Sequence, residues 1–256
     1  MSAGSAEVQV TLREHAGARD RDYARAKVEQ ALEATASGVL SAHVVLERRA
    51  DPAVKRPARA EATVELGGVT LRAHAVSPTM TEAVDEMESR LRRQLVQARD
   101  RSRTRHRWTG VASEHEWRHG DLRREPVPWF PRPAESREVV RHKSFAVTPM
   151  TVDEAAFEMD LLDHDFYLFT ELESGEPALV HRHPSGGYGV SGGGGTPTVA
   201  TVTHEPGPPT LTDAEARTRM DAGEETFVFY REPEGGEGRV LYRRYDGHYG
   251  LITCAA

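Results

Sequence analysis

The alternation of apolar and polar positions in the first hundred residues predicts a strand, a helix, three more strands and a second helix. Residues 8–12 (VQVTL) alternate like a half-buried strand, and residues 22–36 carry apolar side chains at helical spacing. These apolar positions are Tyr23, Ala24, Val28, Ala31 and Leu32. Three strand-like runs follow at 39–49, 58–66 and 69–76, and Gly67 with Gly68 predicts a two-residue hairpin. The order βαβββα predicts an α+β domain.

The second predicted helix has one apolar and one basic face. Ser77 or Thr79 can cap its start, and Glu82, Asp85 and Glu86 suit its positive end. The apolar stripe is Val84, Met87, Leu91, Leu95 and Ala98. The opposite side carries Arg90, Arg93, Gln97 and Arg101, and the chain continues with Arg103, Arg105 and Arg107. Such a face is either solvated or binds nucleic-acid phosphates, which arginine contacts bidentately.

A pattern of capped helix, strand, turn, strand and Tyr-Gly occurs twice in the second half of the chain. Residues 150–190 align without a gap with residues 211–251, and 14 of the 41 pairs are identical. Each copy begins with a capping-box spacing, Thr151 with Glu154 and Thr212 with Glu215. A module this small can hardly bury a core alone, so we expect each copy to pack its sheet against the other.

The sequence therefore predicts five segments. They are a βαβββα domain at 1–107, a linker at 108–137, a first repeat at 138–190, a Gly-rich linker at 191–199 and a second repeat at 200–256. The first linker is rich in proline, and three tryptophans lie in or beside it, Trp108, Trp117 and Trp129. These aromatic rings either pack the linker onto its own domain or stack on bases.

Composition and charge limit the classes of function. Hydrophobic residues make up 38% and charged residues 29% of the 256 positions, and no run is long and apolar enough to span a membrane. The amino terminus lacks a secretory signal pattern, so we expect a cytoplasmic protein. The single cysteine, Cys254, excludes an internal disulfide. Residues 1–137 have a net charge of +4 and residues 138–256 of −11, so a polyanionic partner fits the first part only.

Several short patterns that suggest catalysis or ligand binding are better explained as a loop, as surface histidines or as a helix-capping cluster. The run GYGVSG (187–192) is not followed by a helix pattern, so we do not expect a nucleotide site there. His181 and His183 have no cysteine or carboxylate at ligand spacing, which argues against a metal site. Asp163, His164 and Asp165 lie at a predicted helix-to-strand turn. We therefore expect no enzyme activity, no metal and no cofactor.

Two stretches resemble a known family. The segment VVRHKSFAVTPMTVDEAAFEMDLLDHDFYLF (139–169) and the ending LYRRYDGHYGLI (241–252) are similar to the carboxy-terminal domain of long-form ribosome hibernation-promoting factors. The first repeat carries a degenerate form of that ending, LVHRHPSGGYGV (179–190). The βαβββα unit with its long basic helix resembles the ribosome-binding domain of the same family.

The resemblance implies a non-enzymatic protein that occupies the decoding channel of the small ribosomal subunit, excludes messenger and transfer RNA, and inhibits translation in dormant or stressed cells. It implies contacts with small-subunit rRNA, and no DNA or membrane partner. The residues that it places at the rRNA are Arg90, Arg92, Arg93, Arg99, Arg101, Arg103 and Arg105 in the second helix, and Arg48, Arg49, Lys55, Arg56 and Arg72 in and near the sheet.

The duplication is a departure from ordinary long forms, in which one carboxy-terminal domain pairs between two chains and joins two ribosomes. This chain resembles a duplicated-domain subgroup linked to hypoxia and dormancy, and we expect its repeats to pair within one monomer. The residues expected to mediate this pairing are Phe166, Leu168, Phe227, Phe229, Tyr188 and Tyr249. Two alternatives remain: a protein-interaction adaptor that uses the duplicated β domain, and a factor that bridges ribosome pairs by homodimerisation.

Overall fold

The computed structural model of the chain describes residues 8–35, 38–50, 54–105, 132–146, 149–197, 202–223 and 225–255. The chain forms two compact units, residues 1–113 with 160–164, and residues 114–159 with 165–256. Within the described ranges, no helix has the length and apolar character that crossing a bilayer requires.

The first unit is a four-stranded sheet with two helices, and it confirms the predicted α+β class. Its elements are β1 (Val8–Glu14), α1 (Ala18–Thr35), β2 (Val39–Arg48), β3 (Ala58–Leu66), β4 (Val69–Ser77) and α2 (Met80–Arg105). The strand order is β1-β2-β3-β4, in which β1 runs parallel to β2 and the other pairs are antiparallel. Gly67 and Gly68 both have positive φ, as the tight β3–β4 hairpin requires.

The core of this unit lies between the helices and one face of the sheet. Alternate residues of the strands are buried, such as Ala60, Ala62 and Val64 in β3. The predicted helix stripe is confirmed at Val84, Met87, Leu91 and Leu95, which are at most 1% exposed, while Ala98 is half-buried. Each buried leucine of this stripe contributes about 2 kcal/mol through removal of apolar surface from water.

The start of α2 is fixed by its own side chains. Thr79 and Glu82 form a reciprocal cap: the N–H of Glu82 donates to Thr79 Oγ1 over 3.3 Å and the N–H of Thr79 donates to Glu82 Oε2 over 3.2 Å. Asp85 joins the two helices, because Tyr23 Oη donates to its carboxylate over 2.7 Å and Lys27 Nζ lies 2.7 Å away. Hydrogen bonds from Lys27 and Tyr23 hold the pKa of Asp85 below its usual value.

The second unit contains two sheets and two helices. Its elements are β5 (Val139–Ala146), β6 (Pro149–Met150), α3 (Val152–Leu161), β7 (Phe166–Glu171), β8 (Pro177–Arg182), β9 (Tyr188–Gly192), β10 (Val202–His204), α4 (Asp213–Ala222), β11 (Phe227–Arg231), β12 (Gly238–Arg243) and β13 (Tyr249–Ala255). The strand orders are β10-β9-β8-β7-β6 and β11-β12-β13-β5.

The two repeats exchange their leading strands. Strand β5 begins the first repeat but pairs in parallel with β13 of the second, and β10 begins the second repeat but pairs in parallel with β9 of the first. Sequence alternation did not indicate this exchange, because a strand's pattern shows which side it buries but not which neighbour it chooses. Each sheet is therefore completed only when both repeats are present.

Each repeat buries its helix against the outer face of its own sheet. In the first repeat Val152, Ala155, Ala156 and Met159 of α3 pack with Phe169 and Tyr188, and in the second Ala216 and Met220 of α4 pack with Tyr230 and Tyr249. Tyr188 and Tyr249 are 0% exposed in these separate cores. Their position differs from the expectation that they mediate pairing, because successive residues of a strand point to opposite faces.

The two helix–sheet cores differ at three matched positions. Val152, Phe169 and Ala178 of the first repeat correspond to Asp213, Tyr230 and Arg239 of the second. Tyr230 Oη donates to Asp213 Oδ1 over 2.6 Å, and Arg239 Nη1 donates to the same oxygen over 3.0 Å. Where the first repeat has a buried apolar trio, the second has a polar trio in which the buried Tyr230 hydroxyl has a hydrogen-bond partner, although Arg239 Nε has none.

The Gly-rich segment after the first repeat is partly fixed, although its composition predicts a flexible linker. Strand β9 extends to Gly192, and Gly195 is buried, where an added Cβ would lie 2.6 Å from Glu171 Oε1. Glu171 is 1% exposed and accepts hydrogen bonds from the N–H groups of Glu173 and Ser174 at 3.0 and 2.8 Å. Although burial disfavours its charged form, these donors hold the pKa of Glu171 below its usual value.

We expect Glu171→Gln to destabilise the second unit at neutral pH but not in acid. A carboxyl with a lowered folded pKa contributes stability that is present above its unfolded pKa of about 4.3 and is lost as pH falls through the folded value. Urea unfolding midpoints at pH 7, 5 and 3 check this, with the exposed Glu173→Gln as control. An equal deficit for Glu171→Gln at pH 7 and pH 3 would contradict the charged role.

Candidate functional site

The basic surface of α2 is narrower than its sequence suggests. Arg93 and Arg99 are exposed, and Arg92 is 43% exposed with its guanidinium on Glu88, Nε lying 2.9 Å from Oε1. The Glu88 side chain is 13% exposed, so the ion pair is partly buried, but the Arg92 side chain keeps 43% of its surface open for contact with a phosphate. Arg92, Arg93 and Arg99 therefore form the surface available for a polyanion on the described part of α2, and we call it the α2 basic surface.

Arg90 does not belong to this surface, although helical spacing predicts that it faces outward. Its side chain is 16% exposed, pairs with Glu86 and donates to the carbonyl oxygen of His74. Gln94, which is 6% exposed, donates to the carbonyl oxygen of Arg72 over 2.7 Å. The reason is that β4 is an edge strand, whose unpaired carbonyl groups need donors from α2.

The face of the first sheet opposite the helices carries arginines that are already paired. Glu61 lies 2.6 Å from Arg59 and 2.7 Å from Arg72, and Arg49 lies 3.6 Å from Glu47. Burial disfavours the charged form of Glu61, but Arg72 and Arg59 outweigh it and keep the pKa of Glu61 below its usual value. The predicted contacts Arg49 and Arg72 thus lie in a network of ion pairs in which three arginines share the carboxylates of Glu47 and Glu61. The sequence did not single out Arg59 and Glu61.

The remaining predicted rRNA contacts lie at the end of β2, after it, or farther along α2. Arg48 and Lys55 are exposed, and Arg56 is half-buried. Arg101, Arg103 and Arg105 are in the last turns of α2, where only the backbone is described. Arg107 and the three tryptophans, Trp108, Trp117 and Trp129, lie outside the described residues.

The inner faces of the two repeat sheets pack against each other, and we call this contact the repeat interface. Its buried residues are Leu179, Phe229 and Val240, with Phe166, Leu168, Phe227 and Ile252 packed around them. The rings of Phe166 and Phe227, equivalent residues of the two repeats, have centroids 5.0 Å apart. Four of the six residues expected to mediate pairing lie here: Phe166, Leu168, Phe227 and Phe229.

Two further rings extend the repeat interface with approximate two-fold symmetry. Phe166 contacts Tyr242 at a centroid distance of 5.7 Å, and Phe227 contacts His181 at 5.3 Å. His181 and Tyr242 are equivalent residues, 61 positions apart. Sequence reasoning missed both, because their strands were located without assigning which side faces the other repeat.

The glycine of each Tyr-Gly pair makes room for these rings. Gly189 lies opposite His181 and Gly250 opposite Tyr242 in neighbouring strands. An added Cβ would lie 2.3 Å from His181 Nε2 at Gly189 and 2.3 Å from Tyr242 Cζ at Gly250. The repeated Tyr-Gly motif therefore places its tyrosine in the helix–sheet core and clears space for a ring at the repeat interface.

The chain that enters β5 is fastened to the second repeat. Arg137 Nη1 donates to Asp221 Oδ1 over 2.7 Å, and Tyr249 Oη donates to the same oxygen over 2.5 Å. The N–H of Glu138 donates to His248 Nδ1 over 3.2 Å. These contacts hold the exchanged strand at its entry, because Asp221 and Tyr249 both belong to the second repeat.

Two of the patterns interpreted above as loop or surface residues lie in strands instead: Tyr188–Gly192 forms β9, and His181 lies in β8 with a side chain that is 11% exposed. His181 Nε2 lies 3.0 Å from Glu205 Oε1, and His183 Nδ1 lies 2.6 Å from Ser185 Oγ. Asp163 has φ 53° and its N–H donates to the carbonyl oxygen of Asp160, as in a tight turn. Among the residues that the structure describes, no three His, Cys, Asp or Glu side chains are placed to bind a metal ion.

Comparison with known families gives matches along most of the chain. The model of the sigma 54 modulation protein/S30EA ribosomal protein matches residues 8–103. The model of the sigma 54 modulation/S30EA ribosomal protein C terminus matches twice, at 134–190 and 199–251. The matched residues together account for well over half of the sequence.

Individual relatives carry names that refer to ribosomes and translation. A dormancy associated translation inhibitor of Mycobacterium tuberculosis is 34% identical over 148 residues, which cover 50% of this chain and 54% of that protein. The chain thus spans about half the length of the mycobacterial relative. A ribosome hibernation promotion factor of Lactococcus lactis is 33% identical over 140 residues, covering 53% of this chain and 72% of that factor. A factor of the same name from Picosynechococcus is 29% identical, with coverages of 66% and 87%.

Two solved structures are similar to part of the chain. A ribosomal subunit interface protein from Coxiella burnetii is 19% identical with a TM-score of 0.30, covering 36% of this chain and 97% of that one. The Thermus thermophilus Protein Y N-terminal domain is 26% identical with a TM-score of 0.31, covering 37% of this chain and 98% of the domain.

Proposed function

This chain belongs to the sigma 54 modulation/S30EA ribosomal protein family, that of the long-form ribosome hibernation promotion factors, and on this premise we propose that it inactivates ribosomes in dormant or stressed cells. The relatives are named for ribosome hibernation and translation inhibition and not for a catalysed reaction, in agreement with the predicted non-enzymatic role. We place it in the cytoplasm, where its ribosomal partner is found.

The proposed site of action is the decoding channel of the small subunit, where the first domain excludes messenger and transfer RNA. The observation that carries this is the α2 basic surface, which presents Arg92, Arg93 and Arg99 to solvent along one helix. Arginines along one helix suit an rRNA backbone, since phosphate contacts need charge and geometry but no base sequence.

We further propose that the carboxy-terminal region acts as one self-paired body on a single idle ribosome. The exchanged strands β5 and β10 and the repeat interface support it, because each repeat completes the sheet of the other within one chain. Pairing within a chain benefits from an effective concentration of order millimolar, which a second chain at micromolar concentration does not match. The proposed division is the βαβββα domain (1–107), its linker, and the repeats at 138–190 and 200–256.

A second candidate function is a protein-interaction adaptor. Strand β5 is the last strand of its sheet and spans eight residues, with Val140 47% exposed, so its outer edge resembles a template for an added strand. An adaptor that binds through such an edge would bind with weak salt dependence, whereas binding to rRNA weakens steeply with salt.

Sedimentation of the full chain with purified ribosomes in sucrose gradients tests the proposed function. We expect co-migration with single ribosomes at about 50 mM salt and at least a tenfold loss of binding near 200 mM. Migration of the ribosomes as pairs would keep the hibernation role but overturn self-pairing. Protein that remains at the top at low salt would favour the adaptor.

A further inference from the structure

The two repeats present different side chains to the repeat interface, and these differences bear on which repeat each one can pair with. His181 of the first repeat stands where Tyr242 stands in the second, and its side chain is 11% exposed. Its Nε2 lies 3.0 Å from Glu205 Oε1 and its Nδ1 lies 3.1 Å from the carbonyl oxygen of Arg182. Both ring nitrogens face acceptors, so whichever nitrogen carries a proton has a hydrogen-bond partner.

The acceptor for His181 comes from the other repeat. Glu205 directly follows the exchanged strand β10, and its N–H donates to the carbonyl oxygen of Val190 over 2.8 Å. Glu205 therefore reaches His181 only when the leading strand of the second repeat lies on the sheet of the first. An added Cβ at Gly189 would meet both partners, at 2.3 Å from His181 Nε2 and 2.6 Å from Glu205 Oε1, so the pair is closely packed.

The other leading strand carries the opposite charge at the matched position. In the first sheet of the second unit, His204 lies opposite Val190 and Glu205 is the next residue. In the second sheet, His142 lies opposite Leu251, the equivalent of Val190, and Lys143 is the next residue. If the first repeats of two chains paired with each other by the same exchange, each would receive Lys143 beside His181 in place of Glu205.

Side-chain size at the interface follows the same division. Leu168, His181 and Ser191 of the first repeat correspond to the larger Phe229, Tyr242 and Ile252 of the second. Two first repeats would leave this contact underfilled and two second repeats would crowd it, and both defects destabilise a close-packed interface. At one position the first repeat has the larger side chain, Leu179 against Val240, and this offsets only part of the difference in volume.

We propose that the repeat interface is heterotypic by construction: the first repeat accepts a second repeat, and the contact between His181 and Glu205 selects it over another first repeat. The inference builds on the self-pairing in the proposed function, but it concerns the identity of the paired repeats and needs no ribosome. The partner that fits the first repeat is therefore the second repeat of the same chain.

Charge reversal in the full chain tests the proposal through mass and stability. We expect Glu205→Lys to weaken pairing about tenfold, the scale of losing one charge-assisted hydrogen bond. The variant should have a lower thermal midpoint, and light scattering should detect a dimer fraction that rises with concentration. The unmodified protein should have the mass of a single chain. The double variant His181→Glu with Glu205→Lys should recover at least half of the lost midpoint, because the reversed charges again face each other.

A homotypic interface, in which the first repeats of two chains pair with each other, predicts the opposite results. In that arrangement Glu205 is remote from His181, so Glu205→Lys would have no effect and the double variant would not recover stability. Lys143→Glu would instead raise the dimer fraction, because it would place a carboxylate beside His181 of the partner. This outcome would overturn the proposal while the ribosome gradients could still support hibernation, so the two failures are distinguishable.

Discussion

Replacing Arg92, Arg93 and Arg99 by glutamate is expected to abolish binding to ribosomes at physiological salt. The three side chains form the α2 basic surface, and each substitution removes one positive charge and adds one negative charge. If all three contact phosphates, binding should weaken by at least about 100-fold. The negative slope of log K against log salt should become shallower by roughly 2 to 3. Co-sedimentation from 50 to 300 mM salt measures both quantities.

The matched control is the same change on the other helix of the same domain. Arg19, Arg21 and Arg25 lie on α1 and are exposed, so their replacement by glutamate alters the net charge equally. We expect this control to lower affinity by less than about fivefold, through long-range electrostatics alone. Equal losses for the two triple variants would mean that net charge and not the α2 basic surface governs binding. Circular dichroism confirms that both variants remain folded.

Gly250→Ala is expected to destabilise the second unit by about 2 kcal/mol, the range for overpacking a well-filled interface. The new Cβ would lie 2.3 Å from Tyr242 Cζ and 2.5 Å from its Oη, so the ring must leave its place beside Phe166. The thermal midpoint should fall by roughly 5 to 10 °C. Differential scanning calorimetry of the full chain measures this change in the transition of the second unit.

Gly194→Ala supplies the control for loss of a glycine in the same unit. An added Cβ at Gly194 has no atom within 4 Å, so this variant should unfold within about 1 °C of the unmodified chain. In a background with Tyr242→Ala, Gly250→Ala should cost little further stability, because the ring it displaces is already gone. Full additivity of the two substitutions would contradict the proposed role of Gly250.

Local patterns were sufficient to predict individual helices in both units. The spacing of Val84, Met87, Leu91 and Leu95 predicted the buried face of α2, and all four are buried. The capping-box spacing of Thr212 and Glu215 predicted the start of α4, where both reciprocal hydrogen bonds are present. Such features depend on residues three or four positions apart, so they can be inferred without any partner element.

The sequence predicted that arginines form the candidate site, but not which of these arginines are exposed for contact with phosphate. The sequence pointed to arginines on the outer side of α2, and Arg93 and Arg99 are exposed there. Arg90 has the same spacing but donates to His74 of the edge strand β4, and Arg72 is paired with Glu61 across two strands. Whether an arginine is available for phosphate depends on neighbours distant in sequence, which helical periodicity does not contain.

A βαβββα domain with a basic helix, and two copies of a module too small to stand alone, could both be inferred from the order of the amino acids. This was possible because periodicity, capping and internal identity are written in short-range spacing. Three features became visible only in the folded chain: the copies exchange β5 and β10, Tyr188 and Tyr249 lie beneath their helices on the outer faces of the sheets, and His181 contacts Glu205. Strand pairing, sheet face and charge partner all join residues far apart in the chain, and their free energies exist only once the sheets have formed.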